Sequence, residues 1–317
     1  MAKVLSVTEA VDVLLKGQIV GLPTETVYGL GADATNEAAI AKVFKAKNRP
    51  SFDPLIVHVP SLAAVREIAE LSNDAEQLFL AFSPGPLTIV LPKKKTIPDL
   101  VTSGHNTVAV RIPAHPVMLN VLQSSGLYIA APSANPFGFA SPTTAKHVLD
   151  QLGSMISGVV DGGACSVGIE STIVDMSSDV PKVLRLGGMA LEQLQRVLGP
   201  ITSELSSSNP SAPGMLTSHY NPGIPVQLFP DREALLDAFN SNSNPNGIGI
   251  LYWGETIVHS SSFNLSERQS DSEAACNLFK GLRLLGGAPV TNIYVHLLPE
   301  YGLGRAVNDR LQRAANK

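Results

Sequence analysis

Hydrophobic positions along the chain recur with periods near two and near 3.6, and the changes of period divide it into short strands and helices. Ser6 and Glu9 stand at capping-box spacing ahead of Val7, Val11, Leu14 and Leu15, which predicts a first helix ending at Gly17. A strand over 19–22 breaks at Pro23 and opens into a loop, PTETVYGLG. Asn36 then caps a second helix whose apolar face carries Ile40, Val43 and Phe44. A strand over 55–59 follows, then helices over 61–71 and 73–81, a turn at 83–86 and the strand that continues it. Further strands are predicted over 107–112, 127–130, 156–160, 171–175 and 183–186, with helices over 115–123, 144–152 and 191–198.

The pattern stops at 200. Residues 200–223 are rich in Ser, Pro, Gly and Asn and have no period, so they read as a linker. Its second half, APGMLTSHYNP, holds Met215, His219 and Tyr220, side chains that a plain tether does not need. Beyond it, strands over 226–229, 248–252 and 292–297 alternate with helices over 231–239 and 271–285, and a polar helix ends the chain. That alternation predicts a small parallel Rossmann-like sheet, without a GxGxxG fingerprint after its first strand. The expected organisation is a mixed-sheet α/β domain over 1–199, a linker over 200–223 and a parallel α/β domain over 224–317.

Composition narrows the function classes. The chain has 317 residues, 44% hydrophobic and 16% charged, with a net charge of −4. That balance argues against a surface that grips nucleic acid all over, while leaving room for a local basic cleft. Cys165 and Cys276 have no CxxC partner and no metal spacing, so free thiols are expected. The N-terminus lacks a signal-peptide pattern and no apolar run reaches membrane-span length, from which a soluble, cytoplasmic protein is expected, with a monomer as the default.

Several polar residues sit where chemistry could use them. Lys47 and Arg49 stand at a helix end, stiffened by Pro50 and Pro54. They are either dipole partners on a solvated face or fixed cations for phosphate or carboxylate. Ser133 and Asn135 form SxN just beyond a buried strand, which is either a turn or a polar cradle at a strand's carboxyl end. His58 interrupts an apolar strand and reads first as a satisfied core histidine, ahead of a ligand. Arg111 near the end of TVAVRIP needs a buried partner, for which an anionic ligand would serve. Arg185 again puts a cation at a strand end, and GIESTIVD places Glu170, Ser171 and Thr172 after a glycine-rich turn. No catalytic triad and no metal-ligand spacing is legible.

Taken in order, PTETVYGLG, KxR before PLIVHV, SPGPLT, VAVRIP, APSAN, GIESTIVD and LRLGG resemble the threonylcarbamoyl-AMP synthases of the YrdC-like class over about residues 5–200. APGMLTSHYNP and the C-terminal region are similar to the linker and extra Rossmann-like domain of the long, two-domain form. The resemblance implies a twisted mixed-sheet domain with a concave basic cleft. It also implies a reaction joining L-threonine, bicarbonate and ATP into threonylcarbamoyl-AMP and pyrophosphate. Mg²⁺ would travel with the ATP phosphates, and the product would pass to a tRNA threonylcarbamoyl transferase, with at most a weak contact to tRNA itself. By the same resemblance Lys47, Arg49, Ser133 and Asn135 would be catalytic, with Thr26, His58, Arg111, Ala131 and Ser171 on threonine. Arg49, Asp53, Thr107, Ser133, Ser141, Arg185 and Tyr220 would line the ATP side, and the linker would fold over the cleft. Replacing Lys47 or Arg49 by Ala is then expected to lower turnover with little loss of stability. Two other classes compete: an RNA-binding module with a basic cleft, and a carbamoyltransferase-related enzyme.

Overall fold

The computed structural model describes residues 2–205, 212–213 and 219–316; Met215 lies outside the described residues. An 11-stranded mixed sheet carries the first two-thirds of the chain. At its middle, Ile56–His58 runs parallel to Thr107–Arg111, in a register that sets His58 beside Arg111. Ile129–Ala130 flanks the first antiparallel, and Leu87–Pro92 flanks the second. Thr172–Asp175 then pairs parallel with Leu87–Pro92 and antiparallel with Lys182–Arg185. Val57, Val110, Ile89, Ala130 and Val174 are fully buried within one core, which fixes the register because a one-residue slip would turn that row to the other face.

The helices follow their caps. Ser6 and Glu9 form the capping box of Val7–Leu15, and the Asn36 side chain caps Glu37–Lys47 through the amide of Ala39. That second helix ends with Asn48 in a left-handed conformation (φ 51°), a short polar residue that tolerates it. The reversal turns Lys47 and Arg49 inward to the sheet, where both are buried.

Val226–Phe229, Asn292–His296, Ile248–Tyr252 and Ser262–Asn264 form a second, fully parallel sheet in that order. The helix Arg232–Asn240 covers one face, packing Leu235 among Phe229, Ile250 and Tyr294. The helices Asp271–Gly286 and Gly304–Ala315 cover the other with Phe279, Leu282 and Leu311. This is the Rossmann-like arrangement that the alternation implied.

Two expectations are corrected. Gly29–Asp33, read as loop, is a strand in the large sheet, antiparallel to Val20–Leu22 and to Ile129–Ala130. Its glycines hide the period because they are there for close approach. A Cβ on Gly31 would lie 2.7 Å from Leu22 Cδ1 and 3.0 Å from Ile129 Cγ2. The start of the supposed linker is also structured, since Thr202–Ser203 pairs parallel with Lys182–Arg185 at the sheet edge. The polar terminal helix buries part of its charge: Arg310 is fully buried and Arg313 nearly so.

The two sheets share a core. Val27, Ala140, Ile169 and Tyr220 belong to the same buried cluster as Phe279, Leu282, Val307 and Leu311. Gly168 (φ 79°) lies against the helix Asp271–Gly286 so closely that a Cβ would meet Cys276 Cα at 2.4 Å. Arg283 from the same helix donates to the carbonyls of Ala140 and Ser141 and to Gln151. The small sheet is therefore docked on the loops that follow the strands at the middle of the large one.

Candidate active site

Those loops line a cavity of about 50 Å³ at the carboxyl ends of Ile56–His58 and Thr107–Arg111. Its walls come from distant segments. Thr24 and Thr26 enter from the loop after Val20–Leu22, Arg49 from the helix turn, and His58 and Arg111 from neighbouring strands. Ala131 and Ser133 come from the loop after Ile129–Ala130, while Glu170, Ser171 and Arg185 come from the far side. Pro213, His219 and Tyr220 close it.

The cavity is lined by three arginines and one carboxylate, Glu170, among the described residues. Each arginine is held by neighbours. Arg49 donates to the carbonyls of Asp53 (3.0 Å) and Pro54 (2.9 Å), with Nη2 2.8 Å from the Asp53 carboxylate. Burial pushes the Asp53 carboxyl up and the Arg49 guanidinium down, despite their mutual attraction. The two carbonyls hold the guanidinium in place, and the attraction between the two charges works against the cost of leaving water. Arg111 donates to Thr26 Oγ1 (2.8 Å) and the carbonyl of Gly85 (3.1 Å), and pairs with Glu25 at 2.7 Å. The buried partner that its place in the strand required is Glu25. Arg185 donates to Ser171 Oγ and O, both at 3.0 Å, and to the carbonyl of Pro213 at 3.1 Å. Burial lowers the Arg185 pKa to about 10, still far above neutrality.

The uncharged groups are as constrained. Burial pulls the His58 pKa down to about 3, with Arg111 adding to the effect, so its imidazole is neutral at physiological pH. Its Nδ1 is buried with no protein hydrogen-bond partner. Ser171 Oγ is 2.7 Å from Thr88 Oγ1, and Thr24 Oγ1 is 2.8 Å from Thr26 Oγ1, so both hydroxyls are oriented before any ligand arrives. Tyr28 lies deeper. Its hydroxyl donates to the carbonyl of Gly163 (2.7 Å) and accepts from the amide of Gly162 (3.0 Å), pinning the DGG turn.

Of the sequence-predicted residues, the fold brings Thr26, Arg49, His58, Arg111, Ala131, Ser133, Ser171, Arg185 and Tyr220 to one cavity wall. It does not bring Lys47, Asp53, Thr107, Ser141 or Asn135 into that set. Lys47 points under the wall and donates to the carbonyls of Ser133 and Asn135, both at 2.5 Å. Burial, then the neighbouring Arg49, drives its pKa well below the ordinary lysine value. Asn135 donates to the carbonyls of Pro136 and Phe139 and so shapes the loop. Asp53 backs Arg49. Ser141 donates to Glu170 at 2.6 Å. Thr107 starts the strand that Arg111 ends, four residues away from the cavity end. Spacing singled out Glu170 without giving it a role, and Glu25 was missed: a glutamate beside two threonines reads as loop polarity until Arg111 is placed against it.

The chain is similar to known proteins along nearly its whole length. The family model for Sua5, YciO and YrdC proteins, described as telomere recombination, matches residues 12–187. The model for the C-terminal domain of threonylcarbamoyl-AMP synthase matches residues 189–316. The threonylcarbamoyl-AMP synthase of Pyrococcus abyssi is 38% identical, over 96% of this chain and 93% of that protein. The enzyme of the same name from Bacillus subtilis is 38% identical, over 98% of this chain and 92% of that protein. The crystal structure of P. abyssi Sua5 complexed with L-threonine superposes with a TM-score of 0.92 at 37% identity, covering 98% of this chain and 94% of that one. Escherichia coli YciO shares the fold over 57% of this chain and 88% of its own, with a TM-score of 0.51 at 21% identity.

Proposed function

Because the chain belongs to the threonylcarbamoyl-AMP synthase family, we propose that the cavity at the ends of Ile56–His58 and Thr107–Arg111 is where its reaction takes place. That reaction joins L-threonine, bicarbonate and ATP into threonylcarbamoyl-AMP and pyrophosphate, the first step of the tRNA threonylcarbamoyladenosine modification. The observation that carries the site is the convergence of Arg49, Arg111 and Arg185 on one cavity beside a neutral histidine whose Nδ1 has no protein partner.

The chemistry requires this. The threonine amine captures bicarbonate with loss of water to give a carbamate. A carbamate oxygen then attacks the α-phosphorus of ATP, and the bond to the bridging oxygen breaks as pyrophosphate leaves. Two anions have to meet, so fixed cations and pre-aligned donors supply the main catalytic effect. Arg49 and Arg185 face the phosphates and carbamate in this reading, with Ser133 between them. Thr26, His58, Arg111, Ala131 and Ser171 take threonine. Arg111, already paired with Glu25, offers its remaining donor capacity to the threonine carboxylate. Lys47 and Asn135 act from beneath, holding the backbone of the SxN loop in place, as Asp53 holds Arg49. Ser141 and Thr107 lie on the nucleotide side, outside the cavity. Mg²⁺ enters with ATP, bound to its phosphates.

A volume of about 50 Å³ is far below the ~300–1,000 Å³ of a small-molecule site. The cover made by Pro213, His219 and Tyr220 therefore has to withdraw to admit ATP, and its return excludes water from a labile mixed anhydride. On this reading residues 1–199 are the catalytic domain, 200–223 the cover and 224–317 a Rossmann-like domain. The chain works in the cytoplasm as a monomer, passing its product to a separate tRNA threonylcarbamoyl transferase and making at most a weak contact with tRNA. Among the described residues no helix is long and apolar enough to cross a membrane.

The test is direct. Protein, MgATP, bicarbonate and single amino acids are mixed, and pyrophosphate is followed. Release that requires threonine is expected; release indifferent to the amino acid, or none, defeats the assignment.

A further inference from the structure

The one carboxylate among the described residues lining the cavity stands where the reaction gathers anions. Glu170 would repel both ATP phosphates and the carbamate unless its charge were answered. The answer comes from 140 residues away. Arg310, in the helix Gly304–Ala315, donates from Nε to Glu170 Oε2 at 3.2 Å and is fully buried. Its guanidinium carbon lies 5.8 Å from the centre of the Tyr220 ring, so the same side chain supports the cover. Nη1 is held by the carbonyl of Ala306 and the carboxylate of Asp309, both at 3.2 Å. Nη2 is buried without a partner. The other Glu170 oxygen accepts from Ser141, whose carbonyl accepts from Arg283 of the neighbouring helix. Arg185 is also near, but its hydrogen bonds go to Ser171 and Pro213.

We propose that Arg310 is a positioning residue for adenylylation: it neutralises Glu170 and seats Tyr220, so that the cavity accepts a polyanion only while the last helix of the chain is docked. The small sheet then has a role in the chemistry, as the carrier of the counter-ion that hydrogen-bonds to Glu170 directly. Burial pushes the Glu170 carboxyl up, yet the Arg310 and Arg185 charges and the Ser141 hydroxyl hold its pKa below the usual carboxylate value. The pair therefore persists as ions inside the protein.

The inference rests on the cavity being the ATP and threonine site, and the experiment separates the two. Threonine-dependent pyrophosphate release is measured in the full chain for wild type, Arg310→Gln, Arg310→Lys, Glu170→Gln and the double variant Arg310→Gln/Glu170→Gln. Arg310→Gln is expected to raise KM for ATP at least tenfold and KM for threonine, which carries no net charge, less than threefold. Arg310→Lys keeps the charge and stays within about threefold of wild type for ATP. The double variant, having lost both charges, recovers most of the ATP affinity that Arg310→Gln loses. Glu170→Gln alone lowers KM for ATP, because it removes the one negative charge among the described residues lining the cavity. Equal loss for both substrates, no recovery in the double variant, or an unchanged KM for ATP in Arg310→Gln overturns the proposal. If Arg310→Gln does not fold, Glu170→Gln decides, and a rise in its KM for ATP is the overturning result. A wild type without threonine-dependent release overturns the site assignment instead.

Discussion

Two helices set buried cations at or behind the same cavity by different routes. The C-terminus of Glu37–Lys47 delivers Lys47 and Arg49, and most of their partners are local or on the facing SxN loop: Asp53, Pro54, Ser133 and Asn135. The helix Gly304–Ala315 delivers Arg310, whose partner at the cavity, Glu170, belongs to the other sheet. In the first, the Arg49 contacts are encoded by a local stretch of sequence, while Lys47 reaches a loop of the same sheet 86 and 88 residues on. The second exists only when two sheets are docked. Catalytic scaffolds of this kind can hold some charges in place locally and make others conditional on assembly, and the conditional ones are the natural points of control.

The largest effect should come from breaking the local brace. Arg49→Ala leaves Asp53 buried without its partner, and the loss of half a buried pair costs about 3–5 kcal/mol. Turnover should fall with it. The expectation of activity loss at little cost in stability therefore does not suit this site: Lys47 and Arg49 both satisfy buried backbone carbonyls. A denaturant midpoint unchanged by Arg49→Ala would mean that the brace is not closed in solution, and the contrast with Arg310 would lose one of its terms.

A smaller but more selective effect is expected at the docking surface. Gly168→Ala places a methyl within 2.4 Å of Cys276 Cα at a backbone angle that favours glycine. Overpacking of this kind costs about 1–3 kcal/mol. It should loosen the small sheet from the large one while leaving the large sheet folded. Cys276, whose thiol reaches the carbonyl of Cys165 across the interface, should then react faster with a thiol reagent. Labelling at the wild-type rate would show that the docking tolerates the methyl.

The third effect isolates a group that is buried and neutral. The folded pKa of His58, about 3, lies below its unfolded value of 6.5. The unfolded chain thus binds a proton first, and stability is present above pH 6.5 and falls as pH drops towards 3. Between pH 7 and pH 5 the linkage amounts to about 2 kcal/mol. Urea unfolding at both pH values should show this loss in wild type and its absence in His58→Asn. Equal losses in both would place the pH sensitivity elsewhere, for example at His219, which burial also holds at about 3.

Much of this molecule was legible in its sequence, and the limits have physical causes. Caps and periodicity give Val7–Leu15 and Glu37–Lys47, because a capping side chain and an apolar face are local properties. The alternation after residue 224 gives the parallel sheet for the same reason. Gly29–Asp33 was read as loop because close packing against Leu22 and Ile129 replaces its side chains with glycine and erases the period of two. The strand ends also announced Arg111 and Arg185 as cations in need of partners, without naming Glu25 or Ser171.

What the sequence by itself determined is the set of elements and the chemical types waiting at their ends: a KxR turn, an SxN loop, an arginine at a strand terminus and a linker with aromatic residues. Tertiary structure alone decided which of these face the cavity and which stand behind it. It turned Lys47 and Asn135 into supports, gave Arg111 to Glu25, and made a polar terminal helix the source of a buried counter-ion. A side chain's type follows from one position, but whether its charge is buried, paired or free depends on groups that only folding brings within hydrogen-bond distance.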